Sequence, residues 1–164
     1  MKAIVAVEKN WGIGYQGRLL THIPADLRYF KEKTINKAVI MGRRTFESLP
    51  GRQPLPQRHN IILTRDADYQ VRGAVVLRSK EAVLEYVKNM QSADVFVIGG
   101  EQVYKLFMPE TDEIYVTRID YNYASDVYFP NLDMLPEWAV TAVSPEQTHF
   151  DISYTWKVYR RRRG

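Results

Sequence analysis

The sequence predicts an α/β fold built on a mostly parallel sheet, with antiparallel strands added last. Three observations predict it. Short apolar runs rich in β-formers recur along the chain, helical stretches separate the early ones, and the final runs follow one another without helices. With 164 residues, 45% of them hydrophobic, the chain has the length and composition of one domain with a substantial core. A single unit over residues 1–164 is therefore expected, without repeat or linker.

Lys2 to Val7 reads as a strand covered on both faces. Gly12-Ile13-Gly14-Tyr15-Gln16-Gly17 matches G-x-G-x-x-G by its letters, but Arg18 to Ile23 intervene before any helix, and no acid closes the next strand. A mobile loop is the expectation instead. Pro24 suits a first helical position, and Ile23, Leu27 and Phe30 then share a face that should look inward. Asp26 falls in the first turn beside that stripe, with Tyr29 and Phe30 rather than a base at i+3 and i+4. The helix dipole favours an acid there whatever its role, so this stretch alone balances structure against function.

Ala38 to Met41 is a second buried strand, and Gly42 to Leu49 a glycine turn into a short helix. Arg43, Arg44 and Thr45 at its start could take a phosphate; a solvated first turn with Phe46 and Leu49 in the core is the plainer alternative. Pro50 to Pro56 reads as an extended loop. His59 to Arg65 is a third strand, with Thr64 and Arg65 at the carboxyl end, where open α/β sheets bind ligands. Gly73 to Leu77 follows as a strand, and Ser79 caps a helix expected through Asn89. Asp94 to Ile98 ends in Gly99-Gly100 and a helix from Glu101 to Met108; the glycine pair is either a simple turn or a close backbone approach to a ligand. Strands over Glu113 to Ile119, Trp138 to Val143 and Ile152 to Arg160 complete the chain.

Composition excludes several chemistries. Without cysteine there is no disulfide and no thiolate, and three scattered histidines argue against a metal centre. The absence of a signal pattern or long apolar run points to a soluble, cytoplasmic protein with no membrane partner. The net charge of +4 is carried by Arg160 to Arg163; without them 19 basic residues face 19 acidic ones. That balance argues against a nucleic-acid face, and the arginines read as a solvated end.

Seven separated motifs occur in one order: Gly12-Ile13-Gly14, Ile23-Pro24-Ala25-Asp26-Leu27, Val39 to Ser48, Pro54-Leu55-Pro56, Asn60 to Arg65, Val97-Ile98-Gly99-Gly100 and Asp126 to Pro130. Together they resemble dihydrofolate reductase, in its single-domain bacterial form, along essentially the whole chain. The resemblance implies a three-layer, eight-stranded sheet and NADPH-dependent reduction of dihydrofolate to tetrahydrofolate, by hydride transfer to C6 and protonation of N5. It also implies a monomer open to antifolate inhibitors. By resemblance, Asp26 is the ionisable group of the pterin pocket, raised in pKa by burial against Leu27 and Phe30, with Thr117 supporting its carboxylate. Ile4 and Ile98 offer backbone carbonyls, Phe30, Leu49 and Leu55 clamp the aminobenzoyl ring, and Arg58 holds the glutamate α-carboxylate.

On the cofactor side the resemblance places the nicotinamide at Ala6, Ile13 and Gly14, with Tyr104 beside it. The diphosphate falls at Gly42, Arg44, Thr45 and the backbone of Gly99, Gly100, Glu101, Gln102 and Val103, and a cis peptide is implied at Gly99-Gly100. The 2′-phosphate falls at Arg43, Thr64 and Arg65, and Leu63 and Arg78 also belong to the cofactor site. Three departures stand out: Leu20-Thr21 replaces a usual Pro-Trp, leaving space expected beside the reacting rings, while Ser125 and Val127 replace a glycine and a threonine. A related NADPH-dependent pyrimidine reductase and a nucleic-acid-binding module acting through the arginine-rich end are the competing readings.

Overall fold

The computed structural model describes residues 1–20 and 22–163. The space expected at Leu20-Thr21 turns on Thr21, which lies outside the described residues. At the centre of the sheet, β1 (Lys2–Val7) lies between β6 (Val95–Gly99) and β7 (Glu113–Ile119). Beyond β6 come β3 (Ala38–Gly42), β4 (His59–Leu63) and β5 (Val75–Leu77), and all six strands are parallel. On the other side β11 (Ile152–Arg161) runs antiparallel to β7, and its outer edge is shared by β9 (Trp138–Val143) and β10 (Gln147–His149). The sheet thus has nine strands. The expected eight are recovered when β9 and β10 are counted as one edge strand interrupted at residues 144–146.

Helices cover both faces, as a parallel sheet requires. Alternation along β3 sends Val39 and Met41 to one side, with Ile4, Phe46, Ile62 and Phe96, and Tyr29 and Phe30 of α1 (Pro24–Thr34) pack there. Ile40 points the other way, into a core with Val83 and Val87 of α3 (Lys80–Val87) and Val103, Tyr104 and Phe107 of α4 (Glu101–Phe107). Ser79 caps α3 as expected, its hydroxyl accepting from the Ala82 N–H at 3.0 Å. Both helices end earlier than expected, α3 by two residues at Val87, while Pro50–Arg52 makes a tight turn with Gly51 and Arg52 at positive φ (64° and 51°).

One side chain of α1 departs from the expected inward stripe. Leu27 is 52% exposed, because the face applied to the sheet carries Asp26, Tyr29, Phe30 and Thr34, and Leu27 stands at its margin. The glycine-rich stretch also differs from the expected mobile loop. Gly12–Gly14 is a strand, β2, paired with β8 (Val127–Tyr128), and Tyr15 and Arg18 close a two-residue turn with reciprocal bonds of 3.0 and 3.1 Å. The Asp126 carboxylate accepts from the Gln16 N–H at 2.9 Å, and the Asp126 N–H donates to the Gly14 carbonyl at 3.0 Å. Glu8, fully buried, accepts the N–H groups of Asn10 and Gly12, each at 2.8 Å. Glycine is needed at position 12 for closeness: an added Cβ would stand 2.0 Å from Ser125 Oγ and 2.9 Å from Glu8 Oε1.

The basic end is exposed at Arg160, Arg162 and Arg163, as expected, but two of its arginines are tied to the fold. Arg160 pairs with the buried Glu113, while Arg161 donates to the carbonyls of Thr111 (3.1 Å) and Met108 (2.7 Å) and lies over the Trp138 ring. Two of the four arginines therefore have partners in the fold, although the Arg160 side chain stays 65% exposed. Gly12→Ala should destabilise the protein by about 1–3 kcal/mol, the usual cost of forcing atoms into a filled contact. Ser125→Gly in the same chain should return part of the loss, because it removes the nearest obstacle. Chemical denaturation of the two variants checks this, and a double variant no more stable than Gly12→Ala would place the strain elsewhere.

Candidate active site

The site forms where two central strands part. β1 pairs with β6 only at Lys2↔Phe96 and Ala3↔Val97, whereas it stays in register with β7 to Val7↔Arg118. The β3–β6 ladder shifts at the same level, passing from Ile40↔Val97 to Met41↔Gly99. Ile98 is left without a register partner on either neighbour. From this point α1 carries the chain away from β1 over one face and α4 carries it away from β6 over the other, the arrangement of a switch point in an open α/β sheet.

Asp26 occupies the first turn of α1, positioned by Pro24 at the helix start. Its Oδ1 accepts from the Thr117 hydroxyl at 2.6 Å and from the Trp156 indole N–H at 2.9 Å. Thr117 and Trp156 are register partners on β7 and β11, so both point from the same face of the sheet to one oxygen. Desolvation by burial raises the Asp26 carboxyl above the ordinary carboxylate range, while the hydrogen bonds from Thr117 and Trp156 pull it back in part. The neighbouring Tyr29 phenol is pushed up to about 12 by burial and by the charges of Asp26 and Glu113.

An apolar wall extends from this carboxylate. Ile4, Phe30, Leu49, Leu55 and Ile98 belong to one cluster, and Ala6 lies in the adjoining one with Ile23. At its far end the Arg58 guanidinium donates to Thr34 Oγ1 (3.3 Å) and to the Pro56 carbonyl (2.9 Å), and lies 5.9 Å from the Phe30 ring. Asn60 fixes this stretch, accepting from the Leu55 N–H at 2.9 Å and donating to the carbonyls of Leu55 (3.0 Å) and Arg58 (3.1 Å). Across the parting of the strands, the Tyr104 hydroxyl donates to the Ile4 carbonyl at 2.7 Å, and its burial raises the phenol far out of the physiological range.

A second group of residues converges at the carboxyl ends of β3, β4 and β6. The Gly99-Gly100 bond is cis, as the resemblance implies, and Gly99 has φ of 138°. A Cβ built on either glycine would stand 3.3–3.4 Å from Thr45 Oγ1, so bare backbone lies against the threonine of α2 (Arg43–Glu47). Gly42 meets Val103 in the same way, at 3.1 Å. Such a cradle suits an anionic group that approaches backbone closely. Beside it Leu63, Thr64 and Arg65 close β4, and among the described residues Arg44 and Arg65 are exposed and make no ion pair.

Other expected residues are held by the fold. Arg43 pairs with Glu47 (3.2 Å) and Asp66 (3.1 Å) and lies over the Tyr69 ring. Arg78 donates to the carbonyls of Ala67 and Tyr69, both at 3.0 Å, and so braces the loop after Arg65. Glu101 accepts from the Tyr128 N–H at 2.5 Å, tying α4 to the β2–β8 pair that carries Ile13 and Gly14. Gln102 and Leu27 are exposed and join neither group. Sequence reading missed Trp156 and Asn60. Trp156 lies 130 residues from Asp26, and only the β7–β11 register brings them together.

The comparisons with known proteins agree with this geometry. The family model described as dihydrofolate reductase matches residues 1–161. The dihydrofolate reductase of Haemophilus influenzae is 36% identical over 155 residues, covering 92% of this chain and 93% of its own. That of Bacillus subtilis is 41% identical over 130 residues, 79% of this chain and 75% of the relative. A solved dihydrofolate reductase from Enterococcus faecalis, complexed with NADP(H) and RAB-propyl, superposes with a TM-score of 0.85 at 37% identity, covering 98% of this chain and 95% of that one. With the sheet, the parted strands and the buried carboxylate in place over the same span, this chain belongs to the dihydrofolate reductase family.

Proposed function

We propose that this protein reduces dihydrofolate to tetrahydrofolate with NADPH, and that Asp26 is the carboxylate which binds and polarises the substrate. The observation that carries this reading is the Asp26 site itself, a half-desolvated acid with one oxygen fixed by Thr117 and Trp156, set at the end of an apolar wall in a chain of this family. Bound NADPH supplies the hydride for C6. Everything else falls to the chain.

Asp26 accepts the ring N–H and the 2-amino group of the pterin, and its charge in a poorly solvated site favours a proton at N5. Ile4 and Ile98 present carbonyls to the same amino group, and a carbonyl already bonded to Tyr104 retains a second lone pair. Phe30, Leu49 and Leu55 enclose the aminobenzoyl ring, and Arg58 takes the α-carboxylate. Ala6, Ile13, Gly14 and Tyr104 face the nicotinamide. Arg44, Thr45 and the Gly99-Gly100 backbone hold the diphosphate, with Arg43, Thr64 and Arg65 at the 2′-phosphate. Arg58, braced at the end of the apolar wall, favours folate over the smaller substrate of a pyrimidine reductase. The engagement of Arg160 and Arg161 within the fold removes the main support for a nucleic-acid arm. We read the protein as a monomeric, single-domain cytoplasmic enzyme; among the described residues no helix is long and apolar enough to cross a membrane and no acid or histidine cluster could hold a metal. NADPH oxidation followed optically, with and without dihydrofolate, tests the activity.

Asp26→Asn should keep NADPH affinity but lose about 10²-fold or more of dihydrofolate turnover at neutral pH, with partial recovery in acid where solvent protonates the substrate. Its stability should change in the opposite sense. A carboxyl whose folded-state pKa is raised stabilises the fold fully below its unfolded value and loses that contribution as pH rises through the folded one. The charged Asp26 is therefore a burden at neutral pH, and Asp26→Asn should be more stable there by on the order of 1 kcal/mol. Melting curves at neutral pH and near pH 4 check this, with the difference expected to vanish in acid.

Arg65→Ala should weaken NADPH more than NADH. One charge-assisted hydrogen bond is worth about 1.5–3 kcal/mol, or roughly 10- to 150-fold in affinity, and only NADPH has the phosphate to lose. Dissociation constants for the two cofactors decide it; equal losses would take Arg65 away from the 2′-phosphate.

A further inference from the structure

Trp156 is held more firmly than its place near a chain end would require. Its N–H donates to Ser144 Oγ at 2.9 Å, and its carbonyl accepts from the Ser144 N–H at 2.8 Å, at the break in the edge strand. The indole stacks on Tyr29 with centroids 4.6 Å apart and planes 7° from parallel, and meets Tyr154 edge-on at 5.7 Å. Tyr29 belongs to the helix that carries Asp26, so one ring is fixed both to its strand and to the helix above. Its N–H then falls 2.9 Å from Asp26 Oδ1. The indole is a donor that never ionises, so its bond to the carboxylate persists at every working pH. Among the described residues no protein group donates to Oδ2.

We infer that Trp156 is a positioning residue for Asp26: with Thr117 it holds Oδ1 and fixes the plane of the carboxylate, so that its two oxygens are set for the pterin's paired donors. This rests on the reading of Asp26 as the acceptor of the pterin's donors and adds a residue that the resemblance did not supply. The cross-strand pair makes the arrangement specific. Thr117 and Trp156 stand opposite each other on β7 and β11, so a threonine hydroxyl and an indole N–H reach one atom from two strands. Among the described residues, the titratable groups interacting with Asp26 are Tyr29 on its own helix and Tyr154 on β11, with Arg28 acting on Tyr154. Both phenols are raised and stay neutral through the relevant range. A hydrogen bond to the ionised form lowers a carboxyl's pKa, so removing the indole N–H must raise that of Asp26.

Trp156→Phe deletes the N–H and keeps an aromatic ring against Tyr29. In the ligand-free protein, the Asp26 carboxyl titration followed by carbon NMR should move up, by on the order of one pH unit or less. The alkaline fall of the hydride-transfer rate should shift in the same direction. KM for dihydrofolate should rise about 3- to 10-fold while NADPH affinity holds, since the cofactor does not touch this oxygen. Thr117→Val should move the titration in the same sense. Should Trp156→Phe fold poorly, benzothienylalanine at position 156 keeps the bicyclic shape without the donor. A titration that superposes on the wild type in a folded variant overturns the proposal. If the wild type fails to oxidise NADPH with dihydrofolate, the functional reading falls, and the NMR titration still decides whether Trp156 holds Asp26.

Discussion

Two adjacent parallel strands, β1 and β6, stay hydrogen-bonded only as far as Ala3 and Val97, and most of what this protein presents to ligands follows from that limit. Beyond it the backbone of each strand must find other partners, because a buried N–H or carbonyl left unpaired is costly. The Ile4 carbonyl finds the Tyr104 hydroxyl, delivered from the opposite face by α4, and Ile98 lies where the β3–β6 ladder also shifts. A crevice at the centre of the sheet is thus built into the topology. Helices crossing in opposite directions from its two sides then place Asp26 on one lip and the Gly99-Gly100 turn on the other.

The carboxylate in that crevice is stabilised just enough to exist there. Burial opposes its charge, and two donors from a cross-strand pair restore part of what solvent would have given. Neither donor is ionised, so no permanent counter-charge pins the acid in its deprotonated form. A carboxyl tied to an arginine would have been lowered; one supported by a hydroxyl and an indole stays raised by its burial. The same balance makes the site a local weakness of the fold.

Charge elsewhere in the molecule is largely committed to structure. Glu8 draws two backbone amides together at the start of β2, Arg161 closes the carbonyls at the end of α4, and Arg78 fastens the loop that follows Arg65. These bonds hold short connecting segments that have few apolar residues of their own to bury. A further bond, from the Tyr128 N–H to Glu101, brings the β2–β8 pair to the amino end of α4 and so joins the glycine-rich stretch to the Gly99-Gly100 turn.

The sequence by itself determined the order and type of the helices and of the main-sheet strands other than the short β10, since runs such as Val39 to Met41 and Asn60 to Leu63 carry their period and their apolar character locally. It also determined Asp26 and Thr117 as partners, and the cis glycine pair, through motifs that resemble a known family. It misjudged what depends on contacts between distant segments. Gly12-Ile13-Gly14 has the composition of a free loop, yet Val127 and Tyr128, more than a hundred residues on, pair with it and make it a strand. Leu27 has the spacing of a core residue, but which arc of a helix is buried depends on how the helix is rotated on the sheet. The arginine-rich end is exposed as its composition suggests, but its ties to Glu113, Met108 and Thr111 are contacts between distant segments that no local pattern shows. Only the tertiary structure set Trp156 against Asp26, because strand register is a property of the pair, and no local pattern in β11 says which residue of β7 it will face.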